Sequence, residues 1–203
     1  MRARTVSDTD ELPVLAEATR YLFGNLLLVR EADLSAPTPC TDWDLRRLLW
    51  HVRSSLADVA DVLTVREPHR GPERAPAEGD PSDPVAALRA GIVDLLLATH
   101  LHNATTPRPA GRWCEIQGRS IPAKVVVYVG AIEMVLHAWD IAQACRTDRP
   151  IPPEVASALL CVSPPLAQAG VAGHVFAAPL AFSATATPSE QLLALFGRRA
   201  GHR

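Results

Sequence analysis

Between Val125 and Ala144 the chain is apolar enough that it must be buried, yet this stretch carries Glu133, His137 and Asp140. An ionised carboxylate in such a place has to be paired, hydrogen-bonded or metal-bound. On a helix, Glu133 and His137 lie four residues apart and project side by side from one face. Two ligands of one ion are presented in this way, and so is an ordinary buried hydrogen-bonded pair. A helix of this kind needs others to cover it, which points to an all-α bundle, a scaffold that builds metal sites from side chains on facing helices.

The covering helices are readable from apolar periodicity and from caps. Residues 10–32 place Leu12, Leu15, Ala16, Leu22, Phe23, Leu26 and Leu27 at helical spacing, with Thr19 the one polar residue on that stripe. Pro37-Thr-Pro39-Cys40 breaks this helix. Thr41-Asp-Trp-Asp44, hydroxyl first and acid three residues later, predicts the start of a second helix, with Leu45, Leu48, Leu49, Val52, Leu56, Val59 and Leu63 as its stripe. His51 lies at the edge of that stripe and can face the interior, which makes it the candidate third ligand. Residues 66–84, rich in Pro, Gly and charge, predict an exposed and mobile loop. Asp83-Pro84 starts a third helix, the acid as cap and the proline at the first helical position, running through Leu88, Ile92, Leu95, Leu96 and Thr99. Residues 105–113 read as irregular, and Pro122 opens a fourth helix reaching about Arg146. Beyond Pro150, a helix from Pro153 to about Val162 is expected to stop at Pro164-Pro165. Residues 173–182 are too interrupted by proline for a strand. Thr187-Pro188 and Leu192, Leu193, Leu195 and Phe196 predict a last short helix ending at Gly197. The expected division is a metal-binding bundle over residues 1–150 and a C-terminal extension over 151–203 that packs on it.

Two histidines and a glutamate leave at least one position open on a divalent ion such as zinc, the mark of a catalytic rather than a structural site. The Glu-x3-His spacing differs from the His-Glu-x-x-His pattern of zinc proteases, so peptide hydrolysis is not expected. Asp140, three residues past His137, either receives the second ring N–H of a ligating histidine or ties down a loop end. Trp43 and Trp139 are candidate walls of a ligand pocket, against the usual role of such residues as core anchors. Cys40 reads as a small buried residue of a proline-rich turn with no histidine beside it. His100 and His102 sit at the end of helix three, where the helix dipole favours a cation, and His69, His174 and His202 are expected in solvent.

The net charge of −2 and the scattered arginines lack the clustered basic footprint of nucleic-acid binding. The N-terminal residues lack the apolar core of a signal peptide, and no segment offers about 20 consecutive apolar residues for a membrane span. A cytoplasmic protein with no membrane partner is expected. The four cysteines have no CxxC spacing, which in a reducing compartment means free thiols. Lys124 is the only lysine, a bias that suggests GC-rich coding.

Pro39-Cys-Thr-Asp-Trp-Asp-Leu-Arg-Arg-Leu-Leu-Trp-His51-Val resembles a signature, Pro-Cys-x-x-Trp followed by Leu-x-x-His-Val, of the mycothiol-dependent maleylpyruvate isomerase family. That family belongs to the DinB-like superfamily of metal-binding four-helix bundles. Glu133-x3-His137-x-Trp-Asp140-x-Ala is similar to its second signature, and the segment from Glu190 to Arg198 to the closing motif of an actinobacterial subgroup. The resemblance implies a divalent metal, usually zinc, on His51, Glu133 and His137. It also implies mycothiol as cosubstrate, its thiol activated for S-transfer to a small electrophilic metabolite or for cis–trans isomerisation. One departure is that the segment after the fourth helix is too short for the isomerase's separate C-terminal domain, which argues against maleylpyruvate itself as substrate. The other readings are a metal-dependent hydrolase or secondary-metabolism tailoring enzyme using water, and a non-catalytic bundle that only binds a ligand or metal. A monomer or homodimer with a small-molecule substrate is expected.

Overall fold

Four long helices form the body: α1 (Glu11–Leu26), α2 (Leu45–Leu63), α3 (Pro84–Ala104) and α4 (Ala123–Ala144). The computed structural model describes residues 11–64, 83–104, 113–116, 119–172 and 176–200, so the loop expected over 66–84 falls almost wholly outside them. Also outside are His69, His174 and His202 and most of the irregular stretch 105–113. The architecture is all-α. Between α3 and α4 it adds one antiparallel hairpin, β1 (Trp113–Ile116) and β2 (Arg119–Pro122), with Trp113 paired to Pro122.

α4 is the central helix and is buried nearly all round, as its even hydrophobicity requires. α1 and α2 both pack on it, and α3 packs on α2. His51 of α2 meets Glu133, while Val59 lies against Gly130, so α2 and α4 are antiparallel. Nδ1 of His102, near the end of α3, is 3.1 Å from the carbonyl of Leu63 at the end of α2, so α2 and α3 run in parallel. At the other edge Thr19 of α1 donates to Met134 Sδ, and Tyr21 donates to the carbonyl of Arg149 beyond the end of α4. α1 therefore runs with α4. The order is up, down, down, up, and because parallel neighbours cannot be joined by a tight turn, the long segment 64–83 separates Leu63 from Pro84.

α1 ends at Leu26, earlier than residue 32; the chain then makes a short 3-10 turn over Glu31–Asp33. This turn lies beside the end of α4, where burial first, and then the Asp33 charge, push the Cys145 thiol up to about 11. The cap of α2 is Asp44, whose carboxylate accepts from the Arg47 N–H, rather than Thr41. α3 begins as expected, with Asp83 accepting from the Val85 N–H.

By length and composition alone two helices, α3 and α4, are apolar enough to cross a membrane, although Arg89 and Asp94 in α3 and Lys124, Glu133 and Asp140 in α4 interrupt them, so neither is a run of about 20 consecutive apolar residues. In the fold 83% of the α4 window is buried, against 33% for α3.

After α4 come α5 (Pro153–Leu160), α6 (Ser163–Ala172) and α7 (Pro188–Leu195). Pro164-Pro165 opens α6 instead of closing a helix, since proline in a first turn forfeits no helical hydrogen bond. α7 packs on α5 and α6 and is capped at both ends. Thr187 and Glu190 form a reciprocal capping box. Beyond its last turn the N–H of Arg198 reaches the carbonyl of Leu193 and that of Gly197 reaches Ala194, the paired bonds of a Schellman motif. Gly197 has φ +74°, and a Cβ there would stand 2.5 Å from that of Ala177, so glycine is required on two grounds.

Candidate metal centre

His51, Glu133 and His137 meet where α2 crosses α4. Glu133 and His137 share one face of α4, and His51 comes from the facing edge of α2. The Glu133 Oε2 atom is 3.2 Å from His51 Nε2 and 3.0 Å from His137 Nε2. All three donor atoms lie within 4.8 Å of one another. At ligand distances of about 2.0–2.1 Å these separations subtend about 95–105° at a common ion. Two imidazole nitrogens and one carboxylate oxygen are a donor set suited to zinc and its neighbours, and the residues present fit such an ion.

Trp43 packs edge-on against the His51 ring, with centroids 4.9 Å apart, and Arg47 lies over its face. The loop that delivers Trp43 is held by Thr38, whose hydroxyl donates to the Trp43 carbonyl, and by Asp42 at φ 63°, a left-handed conformation that Asp tolerates. Trp139 stands elsewhere. Two residues past His137 on a helix is about 200° around, and Trp139 lines a cavity of about 470 Å³ with Gln143, Asp148 and Leu193.

The other nitrogen of His137 opens on a second cluster. Nδ1 is 2.9 Å from Asp140 Oδ2 and 3.9 Å from Cys40 Sγ, and the thiol donates to the same carboxylate at 3.4 Å. Cys40 therefore does have a histidine beside it, against the sequence reading. Cys40, His137 and Asp140 are also close enough to hold an ion, but a cation is already there. Arg198 Nη2 is 2.7 Å from Asp140 Oδ2, 3.7 Å from Cys40 Sγ and 3.5 Å from His137 Nδ1. Sequence reasoning assigned Arg198 no role; its signal was its place just past the helix-ending glycine.

Electrostatics couple the two clusters. Burial works to raise the Glu133 carboxyl, but hydrogen bonds from His137 and His51 outweigh it and hold the group below the usual carboxylate range. Burial opposes a charge on His137, yet its bonds to Asp140, Cys40 and Glu133 put it well above the ordinary imidazole range. Asp140, wholly buried, is pushed up by desolvation and pulled below its ordinary value by the Arg198 charge and by His137.

The model of mycothiol maleylpyruvate isomerase N-terminal domains matches residues 15–142. Two relatives, both uncharacterised proteins from strains of Mycobacterium tuberculosis, are 27% identical over 175 residues, covering 84% of this chain and 87% of theirs. Among solved structures the chain is similar to a histidine-to-alanine mutant of mycothiol-dependent maleylpyruvate isomerase, at 18% identity and a TM-score of 0.56. That match covers 76% of this chain and 70% of the isomerase, and it shows a shared helical fold.

Proposed function

This chain belongs to the family of mycothiol maleylpyruvate isomerase N-terminal domains, and we propose that it is a metal-dependent enzyme using mycothiol to transform a small electrophilic metabolite by S-transfer or isomerisation. His51, Glu133 and His137 hold the divalent ion, zinc by the character of the donors. The observation that carries this reading is the convergence of their Nε2, Oε2 and Nε2 atoms within 4.8 Å at the crossing of two helices. When bound, the ion supplies Lewis acidity that makes a thiol a nucleophile at neutral pH.

The chain's own residues orient and shield. Asp140 accepts the Nδ1–H of His137 and leaves the Nε2 lone pair on the side of Glu133 and His51. Trp43 packs against the His51 ring and fixes its orientation. The same reading takes residues 1–150 as the metal-binding bundle and 151–203 as an extension packed on it. It places the reaction in the cytoplasm on a small-molecule substrate, with neither nucleic acid nor membrane as partner.

Metal per chain, measured on the purified protein and on His51→Ala, Glu133→Ala and His137→Ala, tests the site. We expect near-stoichiometric metal in the parent and little in each variant; unchanged content in all three would falsify the site. Thiol consumption with a generic electrophile, with and without mycothiol, tests the chemistry. Metal present with no mycothiol binding in calorimetry would instead indicate an enzyme that uses water as its nucleophile.

A further inference from the structure

Arg198 belongs to the segment after α7, 58 residues along the chain from Asp140, yet one edge of its guanidinium, Nε with Nη2, is bound to that carboxylate. Nε donates to Asp140 Oδ1 at 2.9 Å and to Oδ2 at 3.2 Å, Nη2 donates to Oδ2 at 2.7 Å, and Nη1 donates to the Phe196 carbonyl at 3.2 Å. With its nitrogens committed in this way the side chain is fixed on Asp140 and on its own chain. Its direction is built into the fold, because the left-handed Gly197 and the Schellman bonds turn the chain so that Arg198 points back into the bundle. Asp140 is 0% exposed, so no solvent competes for its oxygens. It is gripped by Arg198 on one side and accepts from His137 and Cys40 on the other.

We infer that Arg198 is a positioning residue for the metal centre: by clamping Asp140 it holds the His137 ring with Nε2 turned toward Glu133 and His51. This rests on the metal reading above. On its account Arg198 completes the centre from the C-terminal segment without itself being one of the three donors. One imidazole then joins a permanent organic cation on its Nδ1 side to an exchangeable ion on its Nε2 side. The Cys40, His137 and Asp140 group is accordingly not a second metal site, because the guanidinium already fills it.

The test is zinc affinity, by competition with a chromophoric chelator, together with the absorption spectrum of the cobalt-substituted protein. The proteins compared are the parent, Arg198→Ala, Arg198→Lys, Asp140→Asn and the neighbouring Arg199→Ala, with circular dichroism reporting the folded fraction. Loss of a carboxylate partner behind a ligating histidine weakens metal binding about 10–100-fold. We expect a loss of that size with a changed cobalt spectrum in Arg198→Ala and Asp140→Asn, partial recovery in Arg198→Lys, whose ammonium restores the charge but not the two-pronged grip, and no change in Arg199→Ala. Parent-like affinity and spectrum in folded Arg198→Ala overturn the inference. If that variant does not fold, parent-like values in Asp140→Asn overturn it instead. A parent chain that binds no zinc fails the metal reading itself, which is a distinct result.

Discussion

The two nitrogens of His137 face opposite kinds of surroundings. On the Nε2 side two imidazole nitrogens meet one carboxylate oxygen, and the His51 side chain is 26% exposed. On the Nδ1 side a fully buried carboxylate is closed off by a thiol and a guanidinium. The difference separates what is built from what is exchanged. Charge compensation on the Nδ1 side is covalently part of the chain and serves the fold, whereas under the proposed metal reading the Nε2 side shares its carboxylate with an ion that can come and go. Breaking the first should therefore cost stability and, through the orientation of the His137 ring, metal affinity, whereas breaking the second should cost metal.

The largest stability effect is expected at Arg198. Replacing one partner of a buried pair leaves an uncompensated charge at a cost of about 3–5 kcal/mol, so Arg198→Met should lower the unfolding free energy by that order in urea titrations of the metal-free protein. The double variant Asp140→Leu/Arg198→Met should recover part of the loss, because no buried charge then remains. A single-variant cost below about 1 kcal/mol would show that the Nδ1 side is not held as a buried ion pair.

Next comes Gly130, one turn before Glu133 on α4. A Cβ there would stand 2.2 Å from Val59 Cγ2, so Gly130→Ala should push α2 off α4. Overpacking of this kind costs about 1–3 kcal/mol. Because α2 also carries His51, the variant should lose metal affinity as well as stability. Stability lost with affinity kept would mean that His51 follows α4 through the movement.

Thr187→Ala removes one half of the α7 capping box and should cost about 1 kcal/mol in chemical denaturation. It tests whether α7, which leads into Arg198, shares the stability of the bundle. A second, lower unfolding transition in the variant would show that the tail detaches on its own.

Features set by local chemistry were legible in the sequence. The cap at Asp83, the start at Thr187-Pro188, the opening at Pro122 and the end at Gly197 all depend on residues within a few positions of one another. The meeting of His51 with Glu133 and His137 was legible too, since it needs only two apolar stripes facing each other. What escaped depends on irregular backbone and distant contacts. Cys40 reaches His137, 97 residues away, from a turn that includes a left-handed Asp42, and no periodicity encodes that approach. The hairpin of β1 and β2 is too short to show alternation. The prolines at 164 and 165 read as a stop because their place in a first turn depends on where the helix begins. Trp139 is different: its angular distance from His137 could have been taken from the helix period alone.

The smallest effect sharpens the comparison most directly, because it involves the very next residue. Arg199 has the same side chain as Arg198, follows it in the chain and lines the same surface cavity with Ser183 and Thr185, but it is exposed. No hydrogen bond or ion pair holds it among the described residues. A surface substitution away from caps, cores and buried pairs changes stability by about 0.5 kcal/mol or less, so Arg199→Ala should unfold within that margin of the parent in urea. Charge loss alone is the same in Arg199→Ala and Arg198→Met. If both moved stability equally, general electrostatics of the tail would account for Arg198; if only Arg198 matters, the effect belongs to its seat on Asp140.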